Sequence, residues 1–169
     1  IVTVSILVHE RGHAAALRSW GVPCRIVLHV MGGMTTHEAK LPTRWSRIAV
    51  SLAGPAAGMV LLGLPAVLID SAWPAPTPWD DVLYLVVWVN LGWALVNLLP
   101  VLPLDGGHVA HELLDAGTRG RGELPARWLS VVTAAAAGAW ALTNGFVFGA
   151  VFAGFFVLDN IQAIRGRRD

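Results

Sequence analysis

Charge is scarce along this chain. Asp, Glu, Lys and Arg make up 14% of its 169 residues, where a soluble domain carries about 25%. With 55% hydrophobic residues and a mean hydropathy of +0.60, the shortfall points away from a water-soluble globule and toward a bilayer. Cysteine is nearly absent. Cys24 stands alone, which excludes an internal disulfide and reads as a packed or interfacial thiol. Net charge is only +1, so electrostatics give no reason to expect a nucleic-acid partner. No cleavable signal pattern is visible, and Ile1 opens the chain in place of Met, so an N-terminally clipped first helix is expected.

Glycine and proline, by contrast, are plentiful at 18 and 10. In a polar chain they would signal disorder; in an apolar one both suit transmembrane helices. At about 20 residues per span, the apolar stretches predict an all-α polytopic membrane protein. The expectation is a single domain, 1–169, of about five transmembrane helices, near 1–18, 45–69, 82–102, 128–143 and 146–164. Gly21-Val22-Pro23 ends the first. Residues 24–36 are β-branched and partly alternating, and predict a small hairpin, kinked at Gly32-Gly33, between the first and second spans. The second span carries Ala53-Gly54-Pro55-Ala56-Ala57-Gly58, small residues that let helices approach closely in lipid, with Pro55 expected to kink it. A short proline-rich turn runs from Asp70 to Asp81, a polar loop covers 111–127, and Asn144-Gly145 is a tight turn.

Charge placement gives an orientation. Arg18, Arg25, Lys40, Arg44 and Arg47, the arginines of 119–127 and those of 165–168 fall on one predicted side. The opposite loops hold Asp70, Asp80 and Asp81 with no Lys or Arg. The positive-inside rule puts the basic side in the cytoplasm of a bacterial plasma membrane. Trp20, Trp45, Trp73, Trp79 and Trp128 sit near predicted span ends, as an aromatic belt requires.

The chemistry concentrates in His9-Glu10-Arg11-Gly12-His13. On a helix, residues four apart share a face, so both imidazoles can reach one tetrahedral zinc with Glu10 beside them as general base. Ionisable groups at membrane depth are costly and by default functional. Two histidines leave such a site incomplete. The best third ligand is Asp105, at the same predicted depth and followed by Gly106-Gly107; His108 and His111 compete for the place, and Asp-Gly is also ordinary turn chemistry. Asn97 is a candidate hydrogen-bond donor to substrate or oxyanion and equally an interhelical contact. His29 and His37 read as surface residues.

These motifs, in order, resemble the site-2 protease family of intramembrane zinc metalloproteases, peptidase family M50. The resemblance runs through His9–His13, Gly32-Gly33, Ala53-Gly54-Pro55 and the Asn-x-x-Pro-x-x-Pro-x-Asp-Gly-Gly pattern from Asn97 to Gly107. It covers about 1–108, the expected catalytic core; the two later spans carry no matching motif. It implies one zinc per chain on His9, His13 and Asp105, Glu10 as catalytic acid/base, and cleavage in or near the transmembrane helix of a membrane-protein substrate. Gly32 and Gly33 join Asn97 as candidate substrate or oxyanion contacts. Arg11 departs from the usual pattern by adding a charge, and the loop before the third span is too short for a PDZ domain, which suggests a compact form. A substrate helix must unwind to be cut, and a strand edge near 26–34 is expected to pair with it. The alternative is a non-catalytic membrane scaffold or transporter-like protein that keeps the fold.

Overall fold

A computed structural model of the chain describes residues 1–29, 32–72 and 78–166. Val30, Trp73 and the Arg167-Arg168 pair of the predicted basic tail lie outside the described residues. The chain divides into two compact units, Ile1–Asn97 and Leu98–Asp169. It is mostly helical with one small two-stranded antiparallel sheet.

The first unit opens with α1, Val2–Ser19. Gly21, at φ 71, stops it, and Val22 N–H reaches back to the Leu17 carbonyl at 3.1 Å. This is the left-handed glycine stop, with the usual apolar contact beyond it. Leu17 and Val22 pack with Leu41, Cys24 and Val50. The strands β1, Cys24–His29, and β2, Gly32–His37, pair antiparallel with Cys24 opposite His37 and His29 opposite Gly32. Gly32 and Gly33 therefore begin β2 and do not kink a strand. The helix α2, Arg44–Ala72, starts on a capping box between Thr43 and Ser46 and contains a π turn at Met59–Gly63. The last helix of the unit, α3, covers 80–97 with its own π turn at Trp88–Gly92. Buried Asn90 in that turn donates to Ser5 Oγ at 3.0 Å and to the Val86 carbonyl at 2.8 Å, tying α3 to α1.

The second unit begins with the segment 98–104, followed by α4, Asp105–Gly117, α5, Glu123–Thr143, and α6, Val147–Arg165. The turn at Asn144-Gly145 is as expected, Gly145 taking φ 78. Two boundaries differ from the sequence reading. The third predicted span stops at Asn97 instead of 102, and most of the predicted loop 111–127 is helix. Pro100 and Pro103 lack the N–H a continuing helix needs. Leu104 is extended, and Asp105 opens a new helix as its first-turn acid, where the helix dipole favours a carboxylate.

Burial is inverted relative to a soluble protein. Small residues fill the interior, among them Ala14, Gly54, Gly58 and Ala66 in the first unit and Ala126, Ala134, Gly138 and Ala153 in the second. Large apolar side chains point outward: Val60, Leu61, Leu68 and Ile69 on α2, Phe148, Val151, Phe155 and Leu158 on α6. Close backbone packing with an apolar exterior suits lipid. Among the described residues, Arg44–Ala72 and Val147–Arg165 are the helices long and apolar enough to cross a membrane. Polar groups interrupt α1 at His9–His13, and α3 opens on Asp80 and Asp81.

Candidate metal centre

On α1 the two histidines converge. His9 Nε2 and His13 Nε2 are 3.1 Å apart, their rings nearly perpendicular at 78°. His13 Nδ1 lies 2.7 Å from the Val50 carbonyl on α2. A carbonyl only accepts, so the Nδ1 proton must be donated there, and the Nε2 lone pair is left facing His9. A backbone acceptor behind the ring is how ligand histidines are usually fixed in tautomer and orientation. Two nitrogens at about 2.0–2.1 Å from a tetrahedral zinc lie roughly 3.3 Å apart, close to the separation seen. The donor chemistry therefore fits a zinc.

Two glycines make this geometry possible. A Cβ on Gly54 would run into the His13 ring, striking Nε2 first. A Cβ on Gly12 would strike the Ala53 carbonyl and come within 2.7 Å of Ala57 Cβ. Gly12, between the two histidines, lets α1 lie against α2; Gly54, on α2, leaves room for the imidazole.

Glu10 is buried on α1 and is held from the hairpin. Thr35 Oγ1 donates to Glu10 Oε2 at 2.6 Å, with the Glu10 carbonyl a more distant acceptor at 3.1 Å. Period-two alternation turns Gly33 and Thr35 to the same side of β2, while Met34 and Thr36 are exposed. A Cβ on Gly33 would sit 2.6 Å from Glu10 Cγ and 2.9 Å from Ile6 Cγ2, so glycine there permits the hairpin to close on α1. Gly32, at φ 153, has open space where a Cβ would be.

The other predicted residues fall as follows. Asn97 is the half-buried last residue of α3. Asp105, in the second unit, is the half-buried first residue of α4. Behind it Gly106 and Gly107 are buried against the backbone of the preceding loop: a Cβ on Gly106 would meet the Leu98 carbonyl, and one on Gly107 the Val101–Leu102 backbone. His37 is exposed and bonds the Ala39 carbonyl at 2.8 Å. Cys24 is a half-buried free thiol whose Sγ lies 3.8 Å from the Ala14 carbonyl.

Sequence reasoning missed Thr35 and the Val50 carbonyl. It took Gly54 as a helix-packing residue and part of a motif, without linking it to His13. A threonine two residues beyond a double glycine carries no chemical signature, and a backbone acceptor carries none at all.

The profile described as peptidase family M50 matches residues 1–75 and 71–139. A provisionally named zinc metalloprotease of Synechocystis sp. is 32% identical over 174 residues, 95% of this chain and 44% of that one. The provisionally named zinc metalloprotease Rip3 of Mycobacterium tuberculosis is 36% identical over 121 residues, 68% of this chain and 30% of that one. The chain thus spans less than half the length of either relative. Among solved structures, the site-2 protease from Methanocaldococcus jannaschii matches with a TM-score of 0.66 at 21% identity, covering 95% of this chain and 74% of that one, a likeness of fold.

Proposed function

The chain belongs to peptidase family M50, and from that premise we propose that it is an intramembrane zinc metalloendopeptidase. Its reaction is hydrolysis of a peptide bond in or near the transmembrane segment of a membrane-protein substrate. The carrying observation is the pair of imidazole nitrogens 3.1 Å apart, one oriented by a backbone carbonyl, beside a buried glutamate held by a hydroxyl.

In this reading His9, His13 and Asp105 hold one zinc per chain. When bound, the ion supplies Lewis acidity to the scissile carbonyl and to a water. The chain's own residues do the rest. His13 keeps its proton on Nδ1 through Val50, so Nε2 stays a ligand atom. Thr35 holds Glu10 Oε2, which leaves Oε1 to take the proton from the attacking water and pass it to the leaving amine. Asn97 and the Gly32-Gly33 backbone are the proposed contacts to the substrate. The edge of the hairpin is the proposed template for the unwound segment.

The five-span reading adds α1, α3 and α5 to the two strongly apolar helices. It is supported by the inverted burial, since an apolar exterior around a core of small residues is stable in hydrocarbon and not in water. Exposed Trp20, Trp45, Trp79 and Trp128 near helix ends fit an aromatic belt. By the positive-inside rule the active site opens toward the cytoplasm.

The test pairs metal analysis with a substitution. Purified wild type and Glu10→Gln should each carry one zinc, and membranes of cells making Glu10→Gln should accumulate transmembrane proteins that the wild type removes. Neither protein retaining zinc, or identical membrane proteomes, would favour the scaffold alternative.

A further inference from the structure

The two helices beyond the motifs quoted from the sequence hold the only buried polar side chains among the described residues of their hairpin, and both side chains act on a single residue, Leu102. Ser130 on α5 and Asn160 on α6 are each 0% exposed. Ser130 Oγ accepts the Leu102 N–H at 2.9 Å. Asn160 Nδ2 donates to the Leu102 carbonyl at 2.7 Å. Leu102 is three residues before Asp105, in the segment that wraps the start of α4.

Small residues bring the two helices of this hairpin together: a Cβ on Gly138 would lie 3.1 Å from Ala153 Cβ, and one on Gly149 would lie 3.7 Å from Ala141 Cβ. Serine and asparagine at full burial among apolar residues are costly unless every polar atom is matched, and here the matching is complete. Ser130 donates to the Ala126 carbonyl at 2.8 Å. Asn160 gives its second N–H to the Phe156 carbonyl at 2.8 Å and accepts from Arg127 Nη1 at 3.3 Å. Arg127 is in turn paired with Glu123 at 3.5 Å.

Backbone bonds hold the loop at further points. Val101 N–H bonds the Leu99 carbonyl and Leu104 N–H bonds the Val101 carbonyl, both at 2.7 Å. Gly106 and Gly107 press against the backbone of 98–102. Holding Leu102 at both its N–H and its carbonyl therefore sets where α4 begins, and with it the carboxylate at its first residue.

We propose that Ser130 and Asn160 are positioning residues for Asp105: they hold Leu102 by its N–H and its carbonyl so that the carboxylate is presented to the metal in one orientation. This rests on the reading of Asp105 as a zinc ligand. Outer groups that orient a ligand are typically worth about 10–100-fold in metal affinity.

Zinc affinity of the purified full chain, measured by competition with a chromophoric chelator, tests the idea without a substrate. Ser130→Ala and Asn160→Leu should each weaken zinc by about 10–100-fold and alter the visible spectrum of the cobalt-substituted protein. Ser130→Thr, which keeps the hydroxyl, should restore both. Gly138→Ala is the packing control: its Cβ would lie 3.1 Å from Ala153 Cβ, lowering the melting temperature of the hairpin with zinc affinity unchanged. If Asn160→Leu does not fold, Ser130→Ala decides alone. Wild-type zinc affinity in Ser130→Ala overturns the proposal, as does an equal weakening in Gly138→Ala. Asp105→Ala separates the two levels. If it binds zinc as tightly as wild type, the ligand reading fails and the positioning role with it. If it loses zinc while Ser130→Ala keeps it, only the positioning role fails.

Discussion

Gly54→Ala is the smallest change that should damage the metal centre without touching a ligand. The added methyl would lie 2.5 Å from His13 Cε1 and 2.8 Å from Cδ2, and closer still to Nε2. Non-bonded carbons settle at about 3.5–4.0 Å, so the ring must retreat by roughly 1 Å. It has little freedom to do so. Its Nδ1–Val50 bond is 2.7 Å long, and such bonds persist only to about 3.2 Å, which leaves roughly 0.5 Å of slack. The ring must then give up that bond, at about 0.5–1.5 kcal/mol, or α1 must lift from α2 where Gly12 meets Ala53. Overpacking of this kind costs about 1–3 kcal/mol. In zinc affinity we expect a loss of about 10–100-fold, or roughly 1.4–2.7 kcal/mol, because the Nε2 lone pair no longer faces His9. Chelator competition on the purified protein measures it. Gly154→Ala serves as control, since nothing lies within 4 Å of a Cβ there. Wild-type zinc affinity in Gly54→Ala would refute the claim that this glycine exists to seat the imidazole.

Thr35→Val should leave zinc content unchanged and lower turnover by about 10–100-fold, since hydrogen bonds to charged groups contribute about 1.5–3 kcal/mol; Thr35→Ser should recover most of it. Equal turnover in Thr35→Val would mean that Glu10 is positioned without the hairpin. Gly33→Val should act on the same contact by pushing β2 off Glu10, and a fall in turnover with intact zinc binding checks it. Gly106→Ala should release zinc and lower the melting temperature by more than a neutral helix substitution, because its Cβ meets the Leu98 backbone, which cannot swing aside. Gly117→Ala, with open space around it, should match wild type in both.

Much of the local order was legible because local physics dictates it. Gly21-Val22-Pro23 had to end α1, Asn144-Gly145 had to turn, and the alternation in 24–36 had to make strands. The error at Asn97–Asp105 has a clear origin. The stretch Leu98–Leu104 is apolar enough to extend a span, but its two prolines remove donors, and nothing in hydropathy reports a missing N–H. The loop expected at 111–127 failed for the complementary reason. Polar residues such as His108, Glu112 and Asp115 stand at helical spacing, and a helix can carry a polar face without being a loop.

What the sequence determined alone was the reactive inventory: two histidines one turn apart with a glutamate between them, in a chain poor in charge and rich in apolar residues. Spacing on a helix is local geometry, so it needs no tertiary information. The tertiary structure decided how those groups are held. Val50 is 37 residues from the imidazole it orients, and Thr35 is 25 residues from the carboxylate it grips. Such contacts depend on which backbone atoms a close helix crossing or a folded hairpin brings within about 3 Å, and an acceptor that every residue possesses leaves no trace in the order of side chains.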